Sequence, residues 1–169
     1  MRQEMKAEVI KAVKDSRKNP PVIMDMLDFV REEGVANSTT MTQKFGNSFV
    51  GGTRSRFHVA VKASEGFQMI VGQNRYLPSY YFYDDGTKRP PPQLWAFRLH
   101  AFMKAKQPAK QSMNRTEIND WILPLVDGDG DYAKKITDAI LSPKSDIREQ
   151  FKTLFEWQIG SPCASLRRK

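Results

Sequence analysis

Arg54, Ser55, Arg56, His58 and Lys62 crowd cationic and hydrogen-bonding side chains into the short segment Gly51-Gly-Thr-Arg-Ser-Arg-Phe-His-Val-Ala-Val-Lys-Ala-Ser64. At about 100° per residue, Phe57, Ala60, Val61 and Ser64 fall on one side of a helix. Ser55, His58, Val59 and Lys62 fall on the other, with Arg56 flanking them. Phe57 and Val61 are expected to anchor the helix, leaving the opposite face for a partner. Thr53 reads as its N-cap and Gly66 as its stop. The major groove of DNA admits such a helix, and Ser, His, Lys and Arg reach base edges or phosphates there. An ordinary surface helix carries the same pattern.

Other groups that could do chemistry fit poorly to a reaction. Asp127-Gly-Asp-Gly-Asp-Tyr132 invites a calcium loop, because alternate carboxylates can converge on a hard cation. Counted from Asp127, the sixth and twelfth places hold Tyr132 and Asp138, where an EF-hand needs Gly and Glu. The simpler expectation is that Asp131 caps the next helix and the glycines make the turn. His58 and His100 lie far apart in sequence and form no ligand pair. His100 is expected to be structural or at the surface. No nucleophile elbow and no phosphate-binding glycine loop with its lysine is present. These residues point to a protein that is not an enzyme and carries no cofactor or bound metal.

The elements that must position these groups follow from periodicity and punctuation. Met5, Val9 and Val13 predict a short helix over residues 3–16. Asn19-Pro20 opens a second, whose Ile23, Met26, Leu27 and Val30 form one apolar stripe ended by Gly34. Ser38 to Lys44 is a short polar helix anchored by Met41 and Phe45. Phe67 to Gly72 and Ser79 to Tyr83 read as two strands of a hairpin with its tip at residues 73–78, and alternation along Tyr80, Tyr81, Phe82 and Tyr83 would leave two aromatics exposed. Gly86-Thr-Lys-Arg-Pro-Pro-Pro92 reads as a stiff boundary. Beyond it, helices are predicted around Leu94 to Met103, after the capping box Asn114-Arg-Thr-Glu117, over Tyr132 to Leu141, and from Ser145 to Gly160. Residues 93–160 then form a small helical bundle and residues 161–169 a basic tail. No internal repeat is visible.

The order of elements over residues 20–85 resembles the winged helix-turn-helix family of DNA-binding domains. Met26-Leu-Asp-Phe-Val-Arg-Glu-Glu-Gly34 is similar to its first helix, Ser38 to Phe45 to its second, Thr53 to Ser64 to its recognition helix, and Phe67 to Tyr83 to its wing. The turn Gly46 to Gly52 is longer than the family's tight turn and reads as an inserted loop that could itself touch the partner. The resemblance implies a mainly α chain with a small β-hairpin (α+β), a winged module over residues 1–88 followed by the bundle. It also implies binding of double-stranded DNA. Arg54, Arg56, Lys62 and Arg75 would neutralise phosphates, Ser55 and His58 would reach base edges, Val59 would meet a thymine methyl, and Tyr76 would stand with Arg75 at the wing tip. The alternative is a small inhibitor or adaptor that grips another protein on the same scaffold, with Trp95 or Tyr81 as an exposed anchor.

Charge is compatible with a polyanionic partner. The chain has 27 Lys and Arg against 19 Asp and Glu, net +8. The excess is even: residues 1–90 carry 14 basic and 10 acidic side chains, residues 91–169 carry 13 and 9. Any binding face must therefore be made by folding. The lone Cys163 argues against a disulfide framework or a cysteine zinc site. No apolar run approaches the ~18 residues of a membrane span. A cytoplasmic protein without membrane contact is expected, with nuclear location left open for a eukaryotic source, and residues 93–160 are the candidate surface for a homodimer or protein partner.

Overall fold

The computed structural model describes residues 20–106, 111–142, 146–159 and 164–169. The expected helix over residues 3–16, the Ser145 cap, the Gly160 stop and Cys163 lie outside them. Among the described residues the chain is mostly helical with two small antiparallel sheets, and it divides after Gly86 into two compact units. Among the described residues no helix is long and apolar enough to cross a membrane.

In the first unit, helix α1 (Pro20–Glu33) starts on proline, which loses no helical hydrogen bond there. It buries Ile23, Met26, Leu27 and Val30, each contributing about 1.5–3 kcal/mol of transfer free energy. Gly34, at φ 74°, ends it by donating its amide to the Val30 carbonyl at 2.9 Å. Strand β1 (Val35–Asn37) follows and was not anticipated, being only three residues long. Asn37 then caps helix α2 (Ser38–Phe45), its side chain accepting from the Thr40 amide at 2.9 Å. That cap offsets the weak helix propensity of Ser-Thr-Thr-Met-Thr.

The long turn is a packed corner. Gly46–Ser48 form a 3₁₀ turn and Phe49 is fully buried, its ring edge-on to Phe57 at 5.7 Å. Helix α3 (Gly51–Ala63) then begins two residues before the expected start. Its N-cap is Val50, which makes no side-chain cap, and Thr53 lies within the first turn. Strands β2 (Phe67–Ile70) and β3 (Tyr80–Tyr83) form the expected hairpin, and β3 also pairs with β1, so the sheet order is β1-β3-β2. The aromatics of β3 do not alternate between core and solvent. Tyr80, Tyr81 and Phe82 are all buried and Tyr83 is partly so.

In the second unit, helix α4 (Pro92–Ala105) buries Leu94, Trp95, Phe97, Leu99, His100 and Met103. Strand β4 (Ser112–Asn114) leads into helix α5 (Arg115–Ile122) through a complete capping box between Asn114 and Glu117. A 3₁₀ turn (Leu123–Val126) precedes helix α6 (Gly130–Leu141). The cap of α6 is Asp129, two residues earlier than the expected Asp131, with its side chain accepting from the Tyr132 amide at 3.0 Å.

The end of the chain departs most from expectation. The predicted last helix is confined to α7 (Asp146–Gln150), and Phe155–Ile159 is strand β5. Phe155, Trp157 and Ile159 alternate with Glu156 and Gln158, a period of two that competes with the helical stripe and wins where a partner strand exists. That partner is β6 (Ala164–Arg168), the expected basic tail, which lies at the centre of a β4-β6-β5 sheet with Leu166 fully buried. The second unit is thus a mixed α/β layer and not a helical bundle.

Candidate functional site

One face of the first unit carries an open groove of about 570 Å³. Its walls are α2 (Ser38, Thr39, Thr42, Gln43), α3 (Arg54, His58) and the hairpin loop from Val71 to Ser79. None of the lining residues is acidic, and two are arginines. Ser38 and Thr39 bring the first turn of α2 to the same groove, with the Ser38 amide donated to the Ser79 carbonyl and the Thr40 amide to the Asn37 cap.

The hairpin loop is held in shape by short-range hydrogen bonds. The Asn74 side chain accepts from the Tyr76 amide at 2.9 Å, and the Asn74 carbonyl accepts from Leu77 at 3.2 Å. The Gly72 amide closes the loop on Ser79 Oγ at 3.1 Å. Ser38 ties this loop to α2: its hydroxyl accepts from the Ser79 amide at 2.7 Å and its amide donates to the Ser79 carbonyl at 2.9 Å. At the tip, the Arg75 guanidinium stacks 4.8 Å from the Tyr76 ring centroid, and Tyr76 is 77% exposed.

Four of the eight expected site residues meet in the groove: Arg54, His58, Arg75 and Tyr76. Arg54 sits 5.0 Å from the Phe49 ring centroid, so the buried corner residue positions it. Ser55, Val59 and Lys62 are exposed on the outer side of α3 without lining the groove. Arg56 is partly buried and does not line the groove with Arg75. The polar row Ser38, Thr39, Thr42 and Gln43 was missed; its signal is two i, i+4 pairs on a helix whose one fully buried side chain is Met41.

His58 is not a free outward donor. Its Nε2 lies 2.7 Å from the hydroxyl of the fully buried Tyr81. Burial, then the nearby charges of Arg54 and Lys62, lower the His58 pKa from its ordinary value. Burial also pushes the Tyr81 phenol up to about 12. At neutral pH an uncharged imidazole and an intact phenol therefore share one hydrogen, and Nδ1 is the ring nitrogen left for a partner. His100 differs: it is buried against the Phe155 ring at 5.6 Å and its pKa falls to about 4, chiefly through desolvation.

Two of the three carboxylates of the second unit's acidic run are in ion pairs. Asp127 takes Lys88 Nζ at 2.9 Å and Asp129 takes Arg89 Nη2 at 2.6 Å. Among the described residues no group of three or more His, Cys, Asp or Glu side chains is placed to hold a metal ion. Trp95 and Tyr81, the expected anchors for a protein partner, are both fully buried. Comparison with protein-family models, curated proteins and solved structures finds no match.

Proposed function

We propose that the protein is a non-enzymatic regulator or accessory factor, active in the cytoplasm, that binds double-stranded DNA. In this reading the first unit is a winged helix-turn-helix, with α3 as its recognition helix and the Val71–Ser79 loop as its wing. The observation that carries the reading is the carboxylate-free groove framed by α2, α3 and that loop, with Arg54 and Arg75 on its walls. A polyanion entering it meets cations and hydroxyls, and no like charge to repel it. Val59, 55% exposed on the outer side of α3, would meet a thymine methyl, with Ser55 and Lys62 beside it.

Titration of random duplexes at several salt concentrations tests this. Each phosphate contact contributes about 0.9 to the slope of log K against log salt, so Arg54→Ala with Arg75→Ala lowers it by about 1.8. Wild-type protein with no duplex affinity, or a double variant with an unaltered slope, would overturn the proposal. The adaptor reading has lost both its aromatic anchors to the core. It retains the exposed Val71 and Leu77 beside the groove, and DNA-insensitive capture of a protein would favour it.

A further inference from the structure

The two units run through the same series of elements. Each has a 14-residue helix begun by proline, a three-residue strand, an eight-residue helix, a 3₁₀ turn, a third helix of 12 or 13 residues, and two strands. The second adds α7 before its last two strands. Each sheet has the order first-third-second, antiparallel throughout. The agreement extends to side chains. Asn37 and Asn114 both end the first strand and cap the second helix, at 2.9 Å from the amide three residues on. Ala36, Met41 and Phe49 are buried where Met113, Ile118 and Val126 are buried, at a constant spacing. Ile23, Met26, Leu27 and Val30 correspond to Ala96, Leu99, His100 and Met103.

We propose that the chain holds two copies of one fold and that the second copy is a second duplex-binding unit, contacting DNA phosphates through Lys134 and Lys135 of α6. This inference rests on the DNA-binding reading of the first unit. In the second unit α6 takes the place of α3, and both lysines are exposed on it. Asp131 and Asp138 share its outward side, but the Arg115 guanidinium pairs with Asp138 and covers part of that charge. The His58–Tyr81 pair has no equivalent: Leu166 stands opposite Met113 as Tyr81 stands opposite Ala36, so no phenol is there to hold a histidine. The second unit therefore grips the backbone without reading bases, and one chain covers more duplex than its first unit alone.

The full-length chain is titrated against duplexes of about one and about two helical turns, roughly 10 and 21 base pairs. Wild type is expected to show a steeper salt slope on the longer duplex. Lys134→Ala with Lys135→Ala should remove up to about 1.8 of that slope and leave the short duplex unaffected. Asp131→Asn should tighten binding to the long duplex. A long-duplex slope and affinity untouched by the lysine pair and by Asp131→Asn would overturn the inference. A wild-type chain that binds neither duplex would instead overturn the reading of the first unit.

Discussion

Replacing Gly72 with Ala tests the architecture of the groove more directly than removing a charge. A Cβ at Gly72 would stand 2.2 Å from the Leu77 carbonyl oxygen, 2.9 Å from its carbon and 3.1 Å from the Pro78 carbonyl oxygen. These are backbone atoms, so no side-chain rotation relieves the clash and the loop must retreat by about 1 Å. Retreat pulls on the hydrogen bond that the Gly72 amide donates to Ser79 Oγ and, through Ser79, on the Ser38 clamp. Overpacking costs typically about 1–3 kcal/mol, and each hydrogen bond lost adds about 1 kcal/mol. At about 4–8 °C per kcal/mol for a unit of this size, a cost near 2 kcal/mol lowers the first unit's melting temperature by about 8–16 °C. Gly52→Ala is the control. It lies in the first turn of α3 with nothing within 4 Å of its added Cβ, and alanine there should be neutral or stabilising by up to about 1 kcal/mol. Differential scanning calorimetry of both variants, with duplex titration, reads the outcome. A Gly72→Ala chain that melts within about 2 °C of wild type and binds DNA with unchanged affinity would refute the close approach and the role given to the loop.

Two pH effects follow from the histidines. A phosphate entering the groove favours the imidazolium that burial, Arg54 and Lys62 disfavour in the free protein. The pKa of His58 is then higher in the complex than before binding, so affinity should rise as pH falls from about 7.5 to 5.5, with the uptake of a proton. His58→Gln should flatten that profile, and parallel profiles for the two proteins would exclude His58 from the interface. His100 acts on stability. Its folded pKa of about 4 lies below the ordinary 6.5, so the unfolded chain binds more protons between these values. Stability is lost as pH falls from 6.5 towards 4, by roughly 1–2 kcal/mol after allowing for residual solvation of the ring. His100→Leu, which installs the residue found at the corresponding Leu27, should remove that acid loss; an unaltered pH dependence of urea unfolding would contradict the assignment.

Patterns confined to a few turns of chain were legible in the sequence. The stripe Ile23, Met26, Leu27 and Val30, the stop at Gly34 and the Asn114-Glu117 box each act over three to seven residues, and each forms as expected. The buried side Phe57, Ala60 and Val61 of α3 was readable for the same reason. What the tertiary structure decided depends on partners remote in sequence. Ser38 meets Ser79 across 41 residues, and Tyr81 reaches back 23 residues to hold His58. Three-residue strands such as β1 and β4 carry no periodic signal of their own and exist because a central strand pairs with them. The same holds for β5, where pairing replaced an expected helix, and for β6, which was expected as a basic tail. The repetition of the two units escaped notice because packing constrains volume and polarity and leaves identity free. Over residues 35–45 and 112–122 only Asn37 with Asn114 and Thr39 with Thr116 coincide. Sequence alone determined which short segments become helices and which faces they bury. Only the long-range closure of the hairpin determined that Arg75 joins Arg54 and His58 in one groove, since no local period links α3 to a loop that closes on a distant serine.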